Sequence, residues 1–202
     1  ILAAVAGYVA SRHIPKTKAV VPDLKVNYNV AQEIVSILKT ATGQGRGITL
    51  AILGVAWFYF LGALFMAQFP SLIKGSLGGD SNVVAFFLVL FSVGIAAGGL
   101  FNDKVLRGRV EATYVPLAAL GITLFSVDLY FSAGRYSVPA DAPLLGLSAF
   151  LSDFGNVRIV ADALLVALAC GFYVVPLNAL IQHHTPEKVR ARVLAGNAII
   201  NA

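Results

Sequence analysis

Charge is what this sequence has least of. Only 12% of its 202 residues are charged and 58% are hydrophobic, with a mean hydropathy of +0.81, whereas soluble domains carry roughly 25% charge. That scarcity excludes an ordinary water-soluble domain and points to lipid as the solvent. Cysteine is almost absent too: Cys170 stands alone, which excludes an intrachain disulfide, and its place in an apolar run reads as packing. His183 and His184 stand side by side on a loop, a weak metal site, so no metal and no cofactor is expected. A net charge of +5 would suit nucleic acid in a soluble protein. Here the basic residues fall in short segments between apolar runs, so membrane topology accounts for them and no nucleic-acid partner is expected. An initiating Met and a charged leader are also lacking. The sequence begins inside one apolar run, Ile1 to Ser11, and stops inside another that starts at Val193, so it reads as part of a longer polypeptide. No internal repeat is visible, which excludes a solenoid.

What is present is a series of long apolar runs. A helix needs about 20 apolar residues to cross a bilayer, and four segments meet that length, at about 48–69, 83–101, 113–132 and 161–181. The predicted fold class is an all-α membrane protein. Before the first complete span, 1–11 reads as the end of a transmembrane helix and 12–47 as a cytoplasmic connector; 48–202 then forms a helical bundle, with a further span starting at 193. Orientation follows from Lys and Arg, because cytoplasmic loops hold an excess of them. Segments 12–47, 102–112 and 183–193 carry twelve of the fifteen basic residues, leaving only Lys74, Arg135 and Arg158 for the loops between. Within the connector, Val30, Ala31, Ile34, Val35 and Leu38 share one helical face, with Gln32, Glu33, Ser36 and Lys39 opposite. This predicts an amphipathic helix lying on the membrane surface or against the bundle. Thr185-Pro186-Glu187 reads as a helix start.

The turn after the second complete span reads Gly98-Gly99-Leu100-Phe101-Asn102-Asp103-Lys104-Val105-Leu106-Arg107-Gly108-Arg109-Val110-Glu111. Glycines allow close helix approach, an acid suits a helix N-terminus, and basic groups can pair with carboxylates. The turn resembles the signature loop of the major facilitator superfamily. Leu53 to Pro70, Gly78-Gly79-Asp80, Phe91 to Ile95, Arg109-Val110-Glu111, Val115 to Tyr130, Val175 to Gln182 and Arg190 to Val193 extend the resemblance to one branch, the bacterial lysophospholipid transporters and their fusions to a phospholipid acyltransferase. Asn102-Asp103 departs from that branch, where a Cys-Glu pair is expected.

The resemblance implies a major facilitator bundle covering the end of helix six to the start of helix eleven, in the inner membrane of a bacterium. It implies a carrier that moves lysophospholipid from the outer to the inner leaflet, with membrane lipid, a lysophospholipid substrate and the N-terminal six-helix half of the same protein as partners. A fused acyltransferase domain is the bifunctional alternative, and an exporter of another small molecule the second. Such acyltransferases use His-x-x-x-x-Asp, but Lys18, Lys188 and Val189 stand five residues after His13, His183 and His184, so no catalytic site is expected in this segment. On this reading Gly99, Asp103, Lys104, Arg107, Arg109 and Glu111 form a conformational latch. Polar groups inside spans are costly and therefore functional candidates. Asp128 reads either as a coupling acid or as a hydrogen-bonding group near the outer interface. Asp162, at the outer end of its span, reads as a helix-start acid. Trp57, Gln68 and Asn178 are candidate cavity residues, and Pro176, which leaves the Phe172 carbonyl without a donor, marks a kink that is either static or a gate.

Overall fold

A computed structural model of the chain describes residues 2–12, 28–106, 111–136, 138–139 and 142–202. Its elements, in order, are α1 (Leu2–Ser11), α2 (Val30–Thr42), α3 (Arg46–Ser71), α4 (Ser81–Leu106), α5 (Val115–Ala133), the short α6 (Leu147–Leu151), α7 (Phe154–His184) and α8 (Glu187–Ile200). Four of these helices are long and apolar enough to cross a membrane. Among the described residues there is no strand, only an isolated bridge between Gly79 and Leu145. The protein is an all-α membrane protein. We call the end bearing Arg46, Lys104 and His184 the inner end, after the basic residues that crowd it.

The apolar runs at 48–69, 83–101 and 161–181 fall within longer helices, while the run from 113 begins two residues before α5. α3 continues past Pro70, whose missing N–H removes the donor for the Met66 carbonyl, and the chain then widens into a π-helical turn over Leu72–Ser76. α7 begins at Phe154, seven residues before the expected start. Asp153 caps it by accepting from the backbone N–H groups of Gly155 (2.7 Å) and Asn156 (3.4 Å). The helix-start role expected of Asp162 therefore belongs to Asp153, and Arg158, expected in a loop, lies inside the helix. Asp80 caps α4 in the same way, through Asn82 (2.8 Å) and Val83 (3.0 Å). The chain enters that cap through Gly78, at φ +68°, where a side chain would be strained.

α7 is the centre of the bundle, packing against α3, α4, α5, α6 and α8. Along one side it meets α4 almost backbone to backbone. A Cβ built on Gly94 would lie 2.5 Å from the Cβ of Ala167, one on Gly98 would collide with the Leu168 carbonyl, and one on Gly171 would collide with the Ile95 carbonyl. The spacing is small-xxx-small on both helices, Gly94 with Gly98 and Ala167 with Gly171, which is how membrane helices reach contact without a hydrophobic driving force. Two buried clusters flank the crossing. Phe69, Phe87, Phe91, Phe150, Ile159 and Val166 belong to the outer one; Ile52, Val55, Leu177, Ile181 and Val193 belong to the inner one.

At the inner end α2 packs on α8. Ala41 is fully buried, and a Cβ on Gly196 would sit 2.6 Å from its Cβ. Beside this notch Arg192 donates to Glu33 (2.5 Å) and to the Ser36 hydroxyl (3.2 Å). Glu33 and Ser36 come from the polar face, while Val30, Ile34 and Val35 on the apolar face stay exposed. α8 itself starts without a threonine cap, since the Thr185 hydroxyl turns back to the Ile181 carbonyl.

The α4–α7 crossing makes a stability prediction. Gly98→Ala and Gly171→Ala should each destabilise the protein by about 1–3 kcal/mol through overpacking. Gly62→Ala, with nothing within 4 Å of the new methyl, should be neutral or slightly stabilising. Thermal unfolding of the full-length protein in detergent checks this, and equal effects at all three positions would remove the crossing from its central role.

Candidate functional site

The expected site residues fall into three places. At the outer ends of α5 and α7, Asp128 pairs with Arg158: Nη2 donates to Oδ1 at 2.6 Å and Nε to Oδ2 at 3.3 Å. Both side chains are about half exposed. Asp162 lies one helical turn deeper, beside Asp128, Arg158 and Ser132. It is 5% exposed, as is Ser132, and neither its Oδ2 nor the Ser132 hydroxyl has a hydrogen-bond partner among the described residues. Arg158 was missed in the sequence because it was counted as a loop marker. The available signal was its i,i+4 spacing from Asp162, which places both on one helical face.

Along α3, the residues Leu53, Trp57, Phe60, Leu64 and Gln68 are exposed at steps of four, three, four and four, so they form one stripe. The stripe is about 22 Å long. It is apolar except at its outer end, where the Gln68 amide makes no hydrogen bond among the described residues. Trp57 also borders a groove of about 410 Å³ between α3 and α5, lined in part by Leu61, Thr123, Ser126, Tyr130 and Tyr173. Its walls are mainly hydrocarbon with a few hydroxyls.

The third group sits in the inner half. Gly99 faces Val175, whose Cγ2 would lie 2.9 Å from an added Cβ, and Pro176 is buried next to it in an uninterrupted α-helix. Asn178 is half-buried and its amide donates to the carbonyl of Val174 in its own helix (3.1 Å). That bond uses one of the two amide N–H donors and leaves the other and the Oδ1 to meet a partner. In the basic turn, Lys104 is exposed with Nζ 6.0 Å from the Phe101 ring centre, and Glu111 accepts from Thr113 (3.2 Å). Asp103 lies in α4, but its side chain, with Arg107 and Arg109, lies outside the described residues. Asn102, next to it, is buried, and its Oδ1 has no partner among the described residues.

Outside the spans the electrostatics are set by the helix caps. Backbone N–H donors from Gly155, and then the Tyr136 hydroxyl at 3.1 Å, hold Asp153 below the usual carboxylate range. Tyr136 is pushed up, first by burial and then by that carboxylate. The Val83 N–H, followed by the bonds from Asn82, holds Asp80 low as well.

Comparison with known proteins adds the following. The chain is similar to the lysophospholipid transporter LplT of Escherichia coli O157:H7 (strain EC4115), being 27% identical over 194 residues that cover 95% of this chain and 42% of the relative. It is similar to the protein of the same name from Escherichia fergusonii, at 28% identity over 200 residues, 97% of this chain and 43% of the relative. The chain thus spans about two-fifths of the length of the curated relatives it matches. No family model and no solved structure matches it.

The caps predict an acid response. Because the folded values of Asp80 and Asp153 lie below the unfolded one, their contribution is complete above the ordinary carboxylate value near 4. It is lost as pH falls through the folded value. Amide-exchange protection at the first turn of α7 should stay constant from about pH 7 to 5 and fall below about 4. In Asp153→Asn that protection should be low throughout and nearly independent of pH.

Proposed function

We propose that this chain is part of a major facilitator transporter that moves lysophospholipid from the outer to the inner leaflet of a bacterial inner membrane. One observation carries the reading above all: the likeness to lysophospholipid transporters runs through every span rather than through a single motif. The N-terminal six-helix half of the full protein would then face the exposed stripe of α3. On this reading the lipid tail lies along Leu53, Trp57, Phe60 and Leu64 and the head group meets Gln68.

The chemistry of the stripe suits a single-chain lipid. A tail that leaves the bilayer for an apolar protein surface changes its surroundings little, because lipid tails are as apolar as leucine. The head group is the costly part, since burying an unpaired polar group in hydrocarbon costs roughly 2–7 kcal/mol. A carrier of this kind therefore needs one long apolar strip and a small number of amides and hydroxyls, and α3 with the adjoining groove offers that proportion. A diacyl lipid has about twice the tail volume to accommodate against close-packed walls. The basic turn from Asn102 to Glu111, with Gly99, Asp103, Lys104, Arg107 and Arg109, serves on this reading as a latch that biases conformers. A fused acyltransferase is the bifunctional alternative, which a downstream His-x-x-x-x-Asp in the complete reading frame would establish.

Vesicles containing the full-length protein should move lysophosphatidylethanolamine inward and leave the diacyl lipid in place. Gln68→Leu should slow this movement roughly tenfold, as loss of a charge-assisted hydrogen bond of about 1.5 kcal/mol implies. Equal movement of both lipids, or transport only of a soluble cationic drug, overturns the cargo. Asp103→Asn should slow transport while leaving lysophospholipid affinity within a few fold. A loss of binding with conformer populations unchanged would instead put the turn inside the binding site.

A further inference from the structure

The geometry points to a proton-binding site at Asp162, where a single proton neutralises a cluster of two carboxyl groups and one guanidinium at the outer ends of α5 and α7. Asp128 and Asp162 lie beside one another, and Arg158 gives both its Nε and its Nη2 to Asp128. That leaves Asp162 with no ion-pair partner. Its Oδ2 is sealed from water and, like the equally buried Ser132 hydroxyl beside it, has no hydrogen-bond partner among the described residues. Two ionised carboxylates side by side against one cation leave a net negative charge in a span, the arrangement that a shared proton relieves. A protonated Asp162 becomes a neutral donor and acceptor matched to the carboxylate and hydroxyl next to it.

A metal ion fits less well. Calcium takes six to eight oxygen ligands and magnesium demands near-ideal octahedral geometry, whereas the described residues bring three oxygen-bearing side chains, Asp128, Ser132 and Asp162, with a guanidinium among them. The groups facing the site are few. α5 contributes Asp128 and, beyond its end, Arg135, and α7 contributes Arg158, with Asp153 and Tyr136 near its start. α3 has no charged residue between Arg46 and Lys74, and α4 has none before Asp103, far along at the inner end. α6 has none, and the charges of α8 lie at the inner end. The proton's effect follows from connectivity. With Asp162 neutral, Arg158 bridges α7 to Asp128 on α5. With Asp162 ionised, Arg158 has a competing partner on its own helix at i+4, and the bridge between helices loosens.

The site stands on geometry whatever the cargo, and infrared spectroscopy of the full-length protein in lipid nanodiscs tests it directly. At mildly acidic pH the wild type should show a protonated-carboxyl stretch that shifts on exchange into heavy water and is missing in Asp162→Asn. Asp128→Asn, which frees Arg158 to turn to Asp162, should remove most of the same band while the protein stays folded, so the assignment does not hang on one variant. A wild type without such a band, a band that survives in Asp162→Asn, or a band that sodium ions abolish at fixed pH overturns it.

Discussion

The rest of the bundle depends on α4 and α7 touching through their backbones. Gly98 stands against the Leu168 carbonyl and Gly171 against the Ile95 carbonyl, so neither position has room for a methyl group. In lipid no hydrophobic force gathers helices that are already solvated by hydrocarbon, and van der Waals contact must do so. Close approach fixes the axial register of α7 on α4. That register in turn sets which residues α7 offers to α5 on its other flank, where Gly121 approaches Ala169 and Arg158 reaches Asp128. The inner cluster closes over the same helix through Leu177 and Ile181.

Polar contacts are placed at the two ends of this apolar frame. Asp128 with Arg158 joins α5 to α7 at the outer end, and Glu33 with Arg192 joins α2 to α8 at the inner end. All four side chains keep some exposure, so each pair is worth little in free energy. Their contribution is to choose among registers that apolar packing alone would tolerate, since a slip of one turn leaves a charge unpaired in a place where that is costly.

Much of this was legible in the sequence because hydrocarbon imposes a length. The apolar runs from Ile48, Val83 and Ala161 fall inside long helices, that from Thr113 overlaps α5, and the glycines before Asp103 announced a close approach. What failed had a common cause: charge was taken as a mark of loops. Arg158 is charged and helical because Asp128 lies opposite it, a partner 30 residues away that no local pattern shows. On α2, Glu33, Ser36 and Ala41 dock against Arg192 and the Gly196 notch of α8, which leaves the apolar Val30, Ile34 and Val35 exposed, the arrangement of a helix laid on the membrane surface. Local propensity found the helix, and a contact 159 residues away chose its orientation.

The proposed cargo and the outer proton site bear on each other through where the costs fall. A lipid tail sliding along α3 meets an environment that changes little, so it supplies neither a barrier nor a direction. The head group meets both, because its charges must leave water. Any device that governs such a carrier therefore acts best near the outer interface, where the head group would first be desolvated, and on a contact whose strength depends on charge. The Asp128–Arg158 bridge is such a contact. It ties the helix that borders the groove to the helix at the centre of the bundle, and its partner Asp162 is buried deeply enough for one proton to decide which carboxylate holds the arginine. A proton there would act on the separation of α5 from α7, and through α5 on the groove beside Trp57, without touching the lipid at all.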